Sequence, residues 1–451
     1  RLARALTRQG PAYVKFGQLL ATRPDIIGLE MASDLGQLQD RMDPFPTATA
    51  RREVERNLGR PMDKLFSDFS DPVAAASIAQ VHKCVTTDGR KVAVKVLRPG
   101  IESATRREFR VLLLGAKLTQ KLIPAARRLE PVKFVSTLTD AAAMELDLRL
   151  EAGSASELRE NLQGFEMIRV PEVDWERSAR RVLTLEWVDG TPVSDIEALR
   201  ARNLDREGLA VLVMRAFLTQ ALNNGFFHAD MHQGNLFIDR NEKLVLIDFG
   251  IMGRLDRDAR HAFALIIYGF IQRDYLAAAR AHFDAGYVPA HFNVDAFATA
   301  LRAVGEPIFM KKADELDMSR VLQQLFDVTD IFDMHLRPEL VLLQRTMVVV
   351  EGVARILDPK IDLWSTAEPI VRDYVKREVG LAAIARQAKE NAFAARDLFE
   401  NFPEFARAAE KLAMKTAEGG LPLSDETILK LARALKGKPL SEERDGPRGK
   451  R

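Results

Sequence analysis

Phe226 to Gly250 reads FFHADMHQGNLFIDRNEKLVLIDFG. It holds two acidic centres. Asp230 is followed five residues on by Asn235, and Asp248 opens an Asp-Phe-Gly triplet after the apolar run Leu244 to Ile247. The intervening LFIDRNEKLVLI predicts two short strands around a polar turn at Asp239 to Glu242. Two carboxylates and a carboxamide are then set at neighbouring strand ends. Asp248 and Asn235 can hold Mg²⁺ through hard oxygen atoms. Asp230 can accept a proton from, or orient, an attacking hydroxyl or water. A plain β-hairpin explains Asp, Asn and Gly as turn residues, but not the full spacing of Asp, Asn, strand pair and second Asp.

Upstream, Asp205 to Asn224 predicts a strongly apolar helix packed beneath this loop. Arg181 to Val188 predicts a strand ending in Glu186-Trp187-Val188-Asp189-Gly190. In a two-lobed nucleotide fold that strand end is a hinge, where the backbone near Glu186 and Val188 would hold adenine. Three further strands are predicted at Leu65–Phe69, Ile78–Val85 and Lys91–Val96, with Asp88-Gly89 as a hairpin turn between the last two. The link DPVAAASIAQ occupies the place of a phosphate-covering Gly-rich loop, but carries Ala74, Ala75, Ala76 and Ser77 instead. Backbone N–H groups can still face a phosphate there, although each Cβ limits close approach and positive φ. Small residues packed under a sheet are the plainer reading of the same four.

Lys95 lies in Val92-Ala93-Val94-Lys95-Val96, like the kinase strand whose Lys contacts the α- and β-phosphates and pairs with a helix Glu. A solvent-facing Lys on a strand is the ordinary alternative. A long helix is predicted over 131–161, and on it Asp147 and Glu151 stand one turn apart while Glu145 faces elsewhere. Glu151 is the candidate partner of Lys95. The 56-residue span from Lys95 to Glu151 exceeds the spacing expected of an ordinary protein kinase. The stretch 101–128, predicted as one helix, accounts for the excess. It carries seven Lys or Arg against Glu102 and Glu108, with Leu112, Leu113, Leu114, Leu118 and Leu122 as its apolar side. It reads either as a solvated helix packed on the sheet or as a helix lying on an anionic membrane surface.

The first 60 residues predict helices at 1–23, 30–41 and 47–58. Pro44 and Pro46 separate the last two, and Asp43 or Thr47 is the expected cap. Beyond Gly250 the pattern is helical, near 257–272, 274–284, 293–310, 318–330, 337–356, 366–389 and 391–417. No Ala-Pro-Glu follows Asp-Phe-Gly at activation-loop distance, so a segment for docking protein substrates is expected to be absent or reduced. The expected organisation is a helical extension at 1–60, an N-lobe at 61–190, a helical C-lobe at 191–400 and a basic polar tail at 401–451.

Composition narrows the classes. The 451 residues are 47% hydrophobic and 29% charged, with a net charge of +2. That suits a soluble multi-lobed protein and argues against a nucleic-acid binder. Cys84 is the single cysteine, so no intramolecular disulfide forms; core packing is its expected role. No apolar run reaches the length of a membrane span, and the first residues carry no secretory signal pattern.

Taken together, Lys15-x-Gly17-Gln18, the AAAS of 74–77, Lys95, Glu145-x-Asp147, Glu151, His228-Ala229-Asp230, Asn235 and Asp248-Phe249-Gly250 resemble the UbiB family of atypical kinase-like proteins, called ADCK in animals. The resemblance runs from about residue 9 to 260. The family usually has HADPHPGN where this chain has HADMHQGN, with Met231 and Gln233 in place of two prolines. The resemblance implies an α+β, protein-kinase-like two-lobed fold with an N-terminal helical extension and a helix-rich C-lobe. It implies that Lys15 and Gln18 reach the nucleotide pocket and that Glu145 and Asp147 hold the extension in place. It implies ATP or ADP with Mg²⁺ as ligands, an association with coenzyme Q biosynthesis and its proteins, and binding to a membrane on the cytoplasmic side. It implies that the Ala-rich loop disfavours protein phosphorylation. No Gly-x-Gly-x-x-Gly dinucleotide motif or Cys/His cluster supports direct oxygenase chemistry.

Three functions fit these residues. One is a Mg²⁺-ATP-dependent ATPase or small-molecule kinase supporting quinone biosynthesis. Another is a pseudokinase switch that binds nucleotide and alters partner or lipid contacts. The third is a small-molecule phosphotransferase of the aminoglycoside or choline type, against which the Lys-x-Gly-Gln and Glu-x-Asp elements argue.

Overall fold

The computed structural model describes residues 42–123, 131–310 and 338–379, together with Tyr13, Gly17, Met31, Asp34, Leu35, Gln324, 327–329 and 331–334. Ala79–Thr86 (β2) and Lys91–Leu97 (β3), whose burial alternates over Gln80–Thr86 and Lys91–Val96, pair as an antiparallel hairpin, and Gly89 supplies the positive φ (87°) its turn requires. Phe66–Ala75 (β1) and Val182–Glu186 (β5) complete a four-stranded sheet in the order β1-β2-β3-β5. Because successive side chains leave opposite faces, Val92, Val94 and Val96 share one face with Cys84 and Val182. That face is covered by Thr47–Leu58 (α1), through Ala50 and Val54, and by Leu65 at the end of the short helix Met62–Leu65 (α2). Lys95, one step out of phase, is left on the other face.

α1 begins at Thr47, but neither Asp43 nor Thr47 caps it. Pro46 stands at the cap position without a side-chain bond, and Thr47 Oγ1 instead donates to Asp71 on β1 at 2.6 Å. Gly59, left-handed at φ 65°, closes the other end by returning its N–H to Glu55 O.

Two sequence-predicted helices are cut short. The first, Ile101–Leu122 (α3), stops before Pro124, consistent with the restriction proline places on its predecessor. The predicted helix 131–161 is two helices, Pro131–Glu145 (α4) and Leu148–Asn161 (α5). Asp147 is extended (φ −118°, ψ 92°) and caps α5 through the Arg149 amide, while the Leu148 N–H goes to Arg180 O at 2.9 Å. A carboxylate is worth more at an N-cap than inside a helix. Asp147 and Glu151 therefore do not share the face of one continuous helix, and Glu145 belongs to a different helix from both. α3 and α4 form a helical hairpin around Phe109, Ala116, Val135 and Leu138.

The C-terminal lobe is built under the Phe226–Gly250 segment. Arg206–Thr219 (α7, after Ile196–Ala201, α6) is capped by Asp205 and passes through a π-turn, Gln220–Asn224, into Phe226–His228 (β7). Leu236–Asp239 (β8) and Leu244–Leu246 (β9) form the expected strand pair, with Glu242 at positive φ in the turn. They join Ile168–Arg169 (β4) and Gly190–Pro192 (β6) in a sheet ordered β4-β9-β8-β6, while β7 pairs with Met252–Arg254 (β10). Arg257–Ile271 (α8), Tyr275–Asp284 (α9), Val294–Met310 (α10), Pro338–Leu357 (α11) and Leu363–Tyr374 (α12) follow. Phe217, Leu218 and Leu222 join Val350, Ala354 and Val371 of α11 and α12 in the main core. The described residues all fall within one compact unit. The second unit, 380–451, with the predicted helix 391–417 and tail, lies outside the described residues, as does most of the predicted helix 318–330.

Candidate active site

On the inner face of the sheet the Lys95 ammonium donates to both carboxylate oxygens of Glu151, at 2.8 and 2.9 Å. It also lies 3.4 Å from Asp248 Oδ1. β3 supplies the lysine, α5 the glutamate and the loop after β9 the aspartate, so one cation ties three elements together. Burial works against the Lys95 charge, but the Asp248 and Glu151 carboxylates outweigh it and hold the ammonium protonated above the ordinary lysine value. Burial pushes Glu151 upward, and Lys95 pulls it back only in part. Asp248 reaches Lys95 from a left-handed backbone, φ 61°, which Asp tolerates better than most residues. Its neighbour Phe249 is 1% exposed and packs by its ring, 5.7 Å between centroids, on His228. The strained aspartate is thus held by a buried anchor.

The Asp230 loop is wired to the Asp248 loop through backbone groups. His228 is fully buried; its Nδ1 accepts the Asp230 N–H at 3.1 Å, so Nε2 carries the proton and donates to Ile247 O at 2.9 Å. Burial holds this imidazole below the usual histidine pKa and keeps it neutral, as that hydrogen-bond pattern requires. Asn235 Nδ2 donates to Asp230 O at 3.0 Å, and Asn235 O accepts the Ile247 N–H at 3.0 Å. With its nitrogen so committed, the Asn235 carboxamide has its oxygen to offer a cation. The Gln220 carboxamide receives the His228 N–H at 3.0 Å. Thr346 Oγ1 of α11 lies 3.1 Å from Ala229 O. Met231, where the family has proline, is fully buried in the main core, so side-chain anchoring replaces ring stiffness in this loop. Gln233 is exposed.

The remaining predicted residues fall as follows. Ala74 and Ala75 are not in a loop: they continue β1, opposite Val81 and Gln80. The turn itself is Ala76 to Ile78, with Ser77 buried, and none of these residues adopts positive φ. The Glu186 amide donates to Glu172 O at 2.8 Å and its carboxylate receives Arg169, which also donates to the buried Asp239 at 3.2 Å. A base-holding role at this strand end therefore rests on the backbone around Val188. Asp147 accepts the Arg149 guanidinium on both oxygens, at 2.8 and 2.6 Å. Glu145 is half-buried at the end of α4. Lys15 and Gln18 lie outside the described residues. The sequence reading gave no role to Gln220, Arg169 or Thr346; a lone polar residue inside an apolar run is the signal that marks Gln220 and Thr346.

The donor set suits a hard divalent cation: the Asp248 carboxylate and the Asn235 carboxamide oxygen are both hard oxygen donors. Among the described residues no three His, Cys, Asp or Glu side chains cluster to hold a metal alone. A cation at Asp248 and Asn235 would complete its shell with oxygens from outside the protein, those of water or of a bound ligand.

An ABC1 atypical kinase-like domain matches residues 37–282, and a UbiB helical domain matches residues 301–362. The chain belongs to this family. A probable protein kinase UbiB from Marinobacter nauticus is 38% identical over 100% of this chain and 82% of its own length. A probable protein kinase UbiB from Edwardsiella ictaluri is 41% identical over 87% of this chain and 73% of its own length. Among solved structures, the complex of Rv3197 with erythromycin from Mycobacterium tuberculosis matches with a TM-score of 0.58 at 25% identity, covering 78% of this chain and 90% of that one. The kinase-like, mixed α and β architecture and the UbiB-type membership expected from the motifs hold across most of the chain.

Proposed function

We propose that the protein is a Mg²⁺-ATP-dependent ATPase or small-molecule kinase acting at a membrane in support of ubiquinone biosynthesis. The observation that carries the catalytic part is the Lys95–Glu151–Asp248 cluster, in which a protonated lysine is aimed by a buried glutamate at the aspartate best placed to hold a cation. In this reading Lys95 aligns the nucleotide phosphates, Asp248 and Asn235 hold Mg²⁺, and the Ala76–Ile78 turn covers the phosphates. Mg²⁺ supplies neutralisation of phosphate charge when bound. Asp230, half-buried and 3.8 Å from His232 Nε2, orients the attacking oxygen and accepts its proton. Family membership supports the link to ubiquinone biosynthesis.

The membrane part rests on α3. At about 100° per residue, Phe109, Leu112, Leu113 and Ala116 fall on the side packed against α4. Val111, Leu114, Leu118 and Leu122 form a second apolar stripe, exposed by 56, 59, 49 and 71%. Arg106, Arg110, Lys117 and Lys121 run along one edge of it. The five leucines read from sequence as one apolar side are therefore divided between two. An exposed apolar stripe edged by cations suits the boundary of an anionic bilayer. No helix among the described residues is long and apolar enough to cross a membrane.

The test is steady-state phosphate release from Mg²⁺-ATP, wild type beside Asp248→Asn, with and without anionic vesicles. Turnover lost in the variant and raised by vesicles is the expected result. Full turnover in Asp248→Asn, with contaminating ATPases removed, overturns the catalytic assignment.

A further inference from the structure

Arg98 follows β3 directly and makes three contacts around the Ala76–Ile78 turn. Its amide donates to Ile78 O at 2.8 Å, its Nε to Ala76 O at 2.9 Å, and its Nη2 to Asp43 O at 2.8 Å. The first two contacts hold both ends of the turn. The third fastens that turn to Asp43-Pro44-Phe45-Pro46, the segment that leads into α1. Prolines 44 and 46 have no N–H and fixed φ, so the segment is stiff and Phe45 carries the one amide between them. That amide donates to Gln80 Oε1 at 2.9 Å, and Phe45 O receives Gln80 Nε2 at 3.1 Å. Gln80 is fully buried and lies two residues beyond the turn. The Arg98 guanidinium also sits 5.7 Å from the centre of the Phe45 ring, and the Met42 amide reaches Ala75 O at 3.4 Å.

We propose that Asp43–Pro46 is a strap that fixes the Ala76–Ile78 turn, with Arg98 as its positioning residue, so that the grip of this turn on a nucleotide is set by the chain segment preceding α1. In the Gly-rich loops of ordinary kinases, the turn supplies its own freedom through positive φ. Here the turn carries a Cβ at each position, adopts no positive φ and is tied from outside by charge-assisted bonds to main-chain carbonyls. The inference rests on the nucleotide reading of the cleft for its consequence, but not for the strap itself.

The experiment is amide hydrogen exchange on the full chain without nucleotide, in wild type, Arg98→Lys and Arg98→Ala, followed by titration with Mg²⁺-ADP and Mg²⁺-ATP. Loss of both carbonyl bonds should speed exchange at residues 75–79 about tenfold in Arg98→Ala, with a smaller change in Arg98→Lys, and leave the rest of β2 and β3 as in wild type. Nucleotide affinity should fall about three- to tenfold in the same order. Unchanged exchange at 75–79, or equal acceleration along all of β2 and β3, overturns the strap, because the first shows no tie and the second only a looser sheet. Wild type that binds neither nucleotide overturns the reading of the cleft, while the exchange pattern still decides the strap.

Discussion

The cleft and the α3–α4 hairpin use charge in opposite ways. In the cleft, Lys95 is enclosed by two carboxylates from distant parts of the chain, and its position is fixed by partners. On α3, Arg106, Arg110 and Lys117 stand exposed beside an exposed apolar stripe. A buried charge acts at one place in one geometry, and removing its partner leaves it uncompensated. An exposed cation acts on a surface, in sum with its neighbours and subject to salt. The two regions should therefore separate cleanly under mutation and under pH.

The largest effect belongs to the cleft. Glu151→Gln removes the charge that aims Lys95 and should lower kcat/KM for Mg²⁺-ATP by about 10²-fold, while sedimentation with anionic vesicles stays at the wild-type level. Loss of both together would show that the cleft and the hairpin are one functional surface.

Acid should separate them next. Burial holds His82, His228 and His282 below the ordinary histidine value, His282 at about 4. Each is neutral when folded and takes a proton when unfolded, so its stabilisation is whole above the unfolded value of about 6.5 and is lost as pH falls below it. His282 alone should remove about 2 kcal/mol by pH 5. Thermal unfolding at pH 7.5 and 5 reads this loss, and His282→Gln should shrink the difference by about 2 kcal/mol, leaving the part due to His82 and His228. Residues 101–145 contain no histidine, so vesicle binding by the hairpin should hold between pH 7.5 and 6, before the folded state fails.

The smallest effect tests the division of the α3 leucines. Leu113→Ser, on the packed side, should cost about 1–3 kcal/mol of stability by urea unfolding. Leu118→Ser, on the exposed stripe, should stay within about 0.5 kcal/mol of wild type and still weaken vesicle sedimentation. Equal vesicle binding by Leu118→Ser and wild type would return α3 to a simple packing role.

The same contrast explains what the sequence could disclose. The β8–β9 hairpin is legible because its residues are contiguous: Asp230, Asn235 and Asp248 are spaced by two short strands, and the Asn235 links to Asp230 O and to the Ile247 amide follow from that local geometry. Glu151 can be matched to Lys95 because Val92–Val96 is like the kinase strand whose lysine pairs with a helix glutamate, and the two are in contact. The α3 leucines could not be sorted, since nothing local to a helix says which of two apolar stripes meets a neighbour. The break at Asp147 was hidden for a related reason. Helical periodicity continues across it, and the Arg180 carbonyl that receives the Leu148 amide is 32 residues away. Position in the nucleotide sheet assigns Ala74 and Ala75 to a phosphate-covering loop, whereas pairing with Val81 and Gln80 extends β1 through them.

That break at Asp147 also governs how the chain tolerates change. In one continuous helix from 131 to 161, each residue added or removed ahead of Glu151 would turn it by about 100° and carry its carboxylate away from Lys95. Because α4 ends at Glu145 and α5 starts afresh at Leu148, capped by its own Asp147, the rotational phase of α5 is set locally. The α3–α4 hairpin can then lengthen, shorten or be exchanged whole while the lysine–glutamate alignment stays in register.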